Sequence, residues 1–181
     1  MKSVYKEVLL ALVLLGVGRA ALAHVVLAEP KTTAGAYYKA VMRVGHGCNG
    51  AATTGITVFV PAGFQGAKPQ PKAGWSIVTR KAKLPQSYVS HGKTVVEDVV
   101  EISWKAVNTE SALPDEFYDE FSWMARVPAS AQNVWIRVLQ TCTQGLNDWS
   151  EVPTSGVSTK GLKTPAPLLM IEAPDAAHAH H

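Results

Sequence analysis

Apolar and polar residues alternate with period two along most of this chain. Over Tyr37–Val44, Tyr38, Ala40, Met42 and Val44 share one face and Lys39 and Arg43 the other, which predicts a half-buried strand. Residues 56–60 are rich in β-branched side chains and stop at Pro61. Residues 75–79 form a short apolar run after Gly74. Residues 94–104 set Val96, Val100, Ile102 and Trp104 against Glu97 and Glu101. Residues 117–127 gather Phe117, Phe121, Trp123, Ala125 and Val127 on one face, leaving Tyr118, Glu120, Ser122, Met124 and Arg126 on the other. Residues 134–142 align Val134, Ile136, Val138 and Cys142, and shorter strands are predicted over 25–28 and 149–152.

Pro61-Ala62-Gly63, Lys68-Pro69-Gln70-Pro71, Leu84-Pro85 and Val127-Pro128 punctuate these runs. No stretch sustains a capped 3.6-residue apolar period, and no internal repeat is present. Short strands divided by turns predict an all-β, immunoglobulin- or fibronectin-like β-sandwich of about seven to nine strands, in one domain. Past about Thr154 the pattern fades into Ser, Thr, Gly, Lys and Pro. The sandwich is therefore expected over 24–155, with a flexible tail over 156–181.

The start of the chain has a different pattern. Lys2 and Lys6 precede an apolar run over 8–17, and Ala21-Leu22-Ala23 supplies an A-x-A cleavage signal. That run is about half of the ~20 residues that span a bilayer. A secretory signal peptide is expected over 1–23, cut between Ala23 and His24; an uncleaved anchor is the alternative. Cleavage leaves 158 of the 181 residues.

Composition changes the picture little. The chain is 47% hydrophobic and 17% charged, which supports a folded core rather than disorder. The net charge of +3 resides mostly in the leader: removing Lys2, Lys6, Arg19 and Glu7 takes 17 basic and 14 acidic residues to 14 and 13. With no basic block or stripe, nucleic acid is not an expected partner. The tail has no apolar stretch long enough for a second span, so no membrane anchor is expected after cleavage.

Export also informs the cysteines. Cys48 and Cys142 are an even pair 94 residues apart, and an oxidising compartment favours a disulfide worth roughly 4–5 kcal/mol in the chain-entropy model. A thiolate copper or zinc site is the alternative, poorly supported by two distant cysteines without C-x-x-C.

Familiar catalytic signatures such as G-x-S-x-G, H-E-x-x-H, the P-loop and G-x-G-x-x-G are absent from the sequence. His91, in Ser-His-Gly-Lys, reads as a solvated turn residue. His24 stands apart. As the first mature residue it would join a free α-amine to an imidazole. Their ordinary pKa values of about 7.7–8.0 and 6.5 leave few protons to displace near neutrality. Nitrogen and oxygen donors in a tetragonal plane suit Cu(II). The plain alternative is that processing had to leave some residue first.

A series of local motifs runs in order along the mature chain. It begins with His24-Val25-Val26-Leu27-Ala28-Glu29-Pro30, His46-Gly47-Cys48-Asn49-Gly50 and Val58-Phe59-Val60-Pro61. Lys68-Pro69-Gln70-Pro71-Lys72-Ala73-Gly74-Trp75 and Tyr118-Asp119-Glu120-Phe121 follow, then Gln140-Thr141-Cys142 with Gly145 and Trp149. Together they resemble the YcnI-like family of exported copper-binding domains. The resemblance implies a β-sandwich with a histidine brace built on a single His. His24 would supply amine and imidazole, Glu120 a carboxylate oxygen, and Trp149 would lie beside the metal, with one Cu(II) per chain. Asp119 or Glu116 could replace Glu120 as oxygen donor, and Trp149 could be ordinary core. His46 is a further nitrogen donor or a plain turn residue. His178, His180 and His181 could collect metal loosely, or form an inert end or an expression tag.

Three functions follow. A copper carrier would capture Cu(II) in the periplasm or outside the cell and pass it to an exported copper chaperone or a membrane copper transporter. It would not be an enzyme. A copper-dependent oxidative enzyme would need a second imidazole, for which His46 is the candidate. A structural or interaction sandwich would leave His24 incidental.

Overall fold

The computed structural model describes residues 24–174; the expected signal peptide and the histidines of the tail lie outside the described residues. Twelve strands are present, and the only helical element among the described residues is one short 3-10 turn, Thr109–Ser111. In chain order the strands are β1 (Val26–Leu27), β2 (Lys31–Thr33), β3 (Tyr37–Val44), β4 (Thr53–Phe59), β5 (Gln65–Pro69) and β6 (Trp75–Ser90). They continue with β7 (Lys93–Ala106), β8 (Asp119–Arg126), β9 (Gln132–Trp135), β10 (Val138–Cys142), β11 (Leu146–Trp149) and β12 (Leu168–Glu172).

Two antiparallel sheets form the sandwich, one ordered β1-β3-β8-β5 and the other β11-β10-β4-β7-β6. The predicted alternation places the core. Tyr38, Ala40, Met42 and Val44 of β3 and Phe121, Trp123 and Ala125 of β8 face inward from the first sheet. Ile56, Val58, Ile102, Trp104 and Val138 meet them from the second. Phe121 joins the layers, with Trp75 edge-on at 4.9 Å and Trp104 at 5.9 Å, geometries that aromatic quadrupoles favour.

The strand count exceeds the expected seven to nine because a third small sheet, β2-β12-β9, closes one side. Two expectations change with it. The flexible tail does not begin at 156: β12 pairs parallel to β2 and antiparallel to β9, burying Leu169 and Ile171. The run over 134–142 is not one strand. β9 pairs with β12 and β10 with β4, so the chain changes sheet at Ile136 and Arg137, where Ile136 N–H donates to the Pro167 carbonyl at 2.8 Å. Both sheets bound the same core, so the apolar alternation continues across the crossing and conceals it.

The β6–β7 hairpin also differs from its predicted span. It continues past Leu84-Pro85, although pairing lapses between Lys83 and Tyr88. Its outer half projects beyond the sandwich, which leaves Val96 about half exposed. Phe117 likewise precedes β8 and is exposed rather than core-facing.

Candidate metal centre

His24 immediately precedes β1, whose residues Val26 and Leu27 pair with Arg43 and Met42 of β3. Val25 and Leu27 are buried and pin this short edge strand, so the backbone at His24 is held although β1 has only two residues. The imidazole of His24 meets Trp149 edge-on, with centroids 5.7 Å apart and planes at 74°. Its Nε2 is buried and has no hydrogen-bond partner among the described residues. An unsatisfied buried polar atom costs about 1–3 kcal/mol, so this ring sits where a further partner would be favourable.

Trp149 ends β11 opposite Val138 and is itself buried. On it lies a second ring: His46, just after β3, makes an edge contact with centroids 6.0 Å apart and planes at 76°. The Nδ1 of His46 lies 2.5 Å from the Gly47 carbonyl. A carbonyl only accepts, so Nδ1 is the donor in this contact.

Gln140 binds these parts together. It is fully buried on β10. Its Nε2 donates to the His46 carbonyl at 2.7 Å and to Thr53 Oγ1 at 2.8 Å, and its Oε1 accepts the Trp149 indole N–H at 3.0 Å. A buried amide saturated in this way fixes its neighbours, because each alternative leaves a desolvated group unpaired. Gln140 figured in the sequence only as part of the Gln140-Thr141-Cys142 motif, with no role assigned, yet it occupies a core-parity position in the 134–142 alternation.

The Cys48–Cys142 disulfide joins the loop after His46 to β10, with Cα atoms 5.9 Å apart. The expected pairing is present, and the thiolate alternative is removed. The loop is tight. A Cβ at Gly47 would lie 1.8 Å from the Ala51 carbonyl oxygen, so only glycine fits there. Asp115 braces the loop by accepting the Gly47 N–H at 2.8 Å.

His24, His46 and Trp149 are thus brought together, and Glu120 lies on β8, two strands from β1. The register Val26↔Arg43↔Glu120 sets it two strands from β1, about 10 Å across the sheet, with Arg43 between. Arg43 Nε donates to Glu120 Oε1 at 2.9 Å in an exposed ion pair. Of the two alternative oxygen donors, Asp119 accepts from Lys72 Nζ at 2.6 Å, and Glu116 is exposed ahead of β8. No cluster of three or more His, Cys, Asp or Glu side chains suited to a metal ion occurs among the described residues. Beside His24 runs a shallow groove of about 190 Å³ between β1 and the segment over 165–168, and its lining holds no carboxylate.

The donor chemistry at His24 suits copper in part. After cleavage before His24, amine and imidazole would belong to one residue and could chelate an ion together.

The fold is an immunoglobulin-like β-sandwich, and the candidate metal donor His24 lies beside its edge strand β1. The chain belongs to the DUF1775 family, described as a domain of unknown function, which is the YcnI-like family. The family match covers residues 24–171, beginning at His24 and ending inside β12. The chain is similar to the crystal structure of an uncharacterized protein from Nocardia farcinica, described as having an immunoglobulin-like fold. The TM-score is 0.62 at 22% identity, over 83% of this chain and 99% of that one. No curated protein matches the chain.

Proposed function

We propose that the protein is an exported Cu(II) carrier, loaded at His24 once a signal peptide over 1–23 has been removed. The observation that carries this reading is the His24 imidazole, held edge-on against buried Trp149; the nitrogen that would chelate with the α-amine of the same residue is Nδ1, since Nε2 cannot close that ring. The coincidence of the family boundary with His24 supports it. The α-amine and imidazole chelate the ion, and Trp149 shields one side and holds the ring in a single orientation. Nitrogen donors without thiolate favour Cu(II) over Cu(I). Glu120 is paired with Arg43 through one oxygen only, and its second oxygen remains available as the carboxylate donor; water holds any open position until a copper chaperone or transporter supplies a competing ligand. That openness suits transfer in the periplasm or outside the cell, where the disulfide also persists.

The test is Cu(II) titration of the protein processed to begin at His24, followed by electron paramagnetic resonance. One ion per chain with nitrogen hyperfine structure is expected, and both are lost in His24→Ala. Retained binding in His24→Ala would overturn the reading.

The oxidative-enzyme alternative rests on His46, whose ring lies against the same tryptophan. It requires copper- and reductant-dependent oxygen consumption that His46→Ala abolishes.

A further inference from the structure

The outer face of the four-stranded sheet carries an unneutralised cluster of cations far along the strands from the Arg43–Glu120 pair. The register fixes its layout. Lys39, Met124 and Lys68 form one row across β3, β8 and β5, and Tyr37, Arg126 and Gln65 form the next. Lys39 and Lys68 therefore stand about 10 Å apart, with Arg126 about 7 Å along the strands. Among the described residues none of the three is in an ion pair, and the guanidinium of Arg126 is oriented by its Nε bond to the Gly35 carbonyl at 2.9 Å. On this face the acid is Glu120, already paired with Arg43 two rows beyond Lys39.

A wall stands beside the cluster. The tip of the β6–β7 hairpin approaches the sheet and encloses a groove of about 380 Å³, lined by Tyr37, Lys68, Tyr88, His91, Met124 and Arg126. Asp98 lies beneath it, with its oxygens occupied by the Gly66 and Val99 N–H groups and the Tyr88 hydroxyl. His91 holds the hairpin tip at φ 49°, a left-handed conformation that Asn or Gly adopts more cheaply. An imidazole is thereby placed at the groove rim.

We infer that this groove docks an extended acidic segment of a partner protein. Same-side side chains of an extended peptide repeat about every 7 Å, which matches the spacing from the lysine row to Arg126. Tyr37, Tyr88 and Met124 offer apolar surface to the intervening side chains, and β5 is the outermost strand of the sheet beside them. The inference is independent of copper at His24.

The test is fluorescence anisotropy of a labelled ten-residue peptide alternating Glu and Thr, with a Lys–Thr peptide and phosphatidylglycerol vesicles as comparisons. The protein is expected to bind the acidic peptide in a salt-sensitive manner and not the basic one. Lys68→Glu/Arg126→Glu, both in the groove lining, should weaken binding by about tenfold or more, because like charges replace complementary ones. Lys105→Glu/Lys160→Glu, exposed positions off this face, should change it less than about twofold by the same logic. Thermal unfolding of both double variants verifies that they fold. Absence of peptide binding, equal loss in the two variants, or binding to the vesicles alone would overturn the proposal.

Discussion

The indole N–H of Trp149 is hydrogen-bonded to the side-chain oxygen of Gln140 at 3.0 Å, and both residues are buried. The bond makes Trp149 more than filler. Its ring cannot rotate away from His24 and His46 without leaving its own N–H unpaired in the core.

Gln140→Leu should therefore be costly despite its similar volume. It strips partners from Trp149 Nε1, the His46 carbonyl and Thr53 Oγ1. A loss of at least about 3 kcal/mol is expected in urea unfolding, since each of the three orphaned groups costs about 1–3 kcal/mol. A change under 1 kcal/mol would show that the network is not cooperative.

The disulfide closes a loop of 94 residues, so reduction or a paired Cys48→Ser/Cys142→Ser change should cost roughly 4–5 kcal/mol. It should also loosen the His46 loop, read as faster amide exchange at 46–51 than at β3. Equal exchange in both forms would mean that Gly47 and Asp115 suffice to hold the loop.

Truncation separates the tail into two parts. Ending the chain after Pro174 should leave the melting temperature unchanged. Ending it before Leu168 removes Leu169 and Ile171 from the core, and should cost at least about 4 kcal/mol by the usual cost of deleting buried aliphatics. A mild effect of the longer deletion would contradict the place given to β12.

Alkaline behaviour should single out two tyrosines. Burial, reinforced by Glu29, raises Tyr38 to about 12, and desolvation with the Asp98 hydrogen bond raises Tyr88 to about 12. For a raised pKa the stabilisation is complete below the unfolded value near 10 and fades as pH climbs through the folded value near 12. Absorbance titration should show both ionising late, and Tyr38→Phe should flatten the loss of stability between pH 10 and 12. Ionisation of all tyrosines near 10 in the folded protein would contradict this.

Much of this architecture was legible because period-two alternation reports a single buried face. Tyr38, Ala40, Met42 and Val44 show it without ambiguity, as do Phe121, Trp123 and Ala125. The crossing at Ile136 was not legible, since alternation records which side is buried and not which sheet a residue joins. β12 was hidden by the Ser- and Pro-rich stretch before it. At the site, His24 was singled out by the cleavage signal before it and Trp149 by resemblance, whereas the partner of Glu120 depends on register. Arg43 and Glu120 lie 77 residues apart in sequence and meet only when β3 pairs with β8.

The most direct test of copper capture at His24 compares the protein beginning at His24 with the same protein bearing one additional alanine before it, by Cu(II) competition against a chelator. The added residue leaves every side chain in place and removes only the α-amine from chelation with the imidazole. Affinity should fall by at least about a hundredfold, in proportion to the loss of one equatorial nitrogen and its chelate ring. Equal affinity in the two proteins would contradict the brace and move copper binding away from His24.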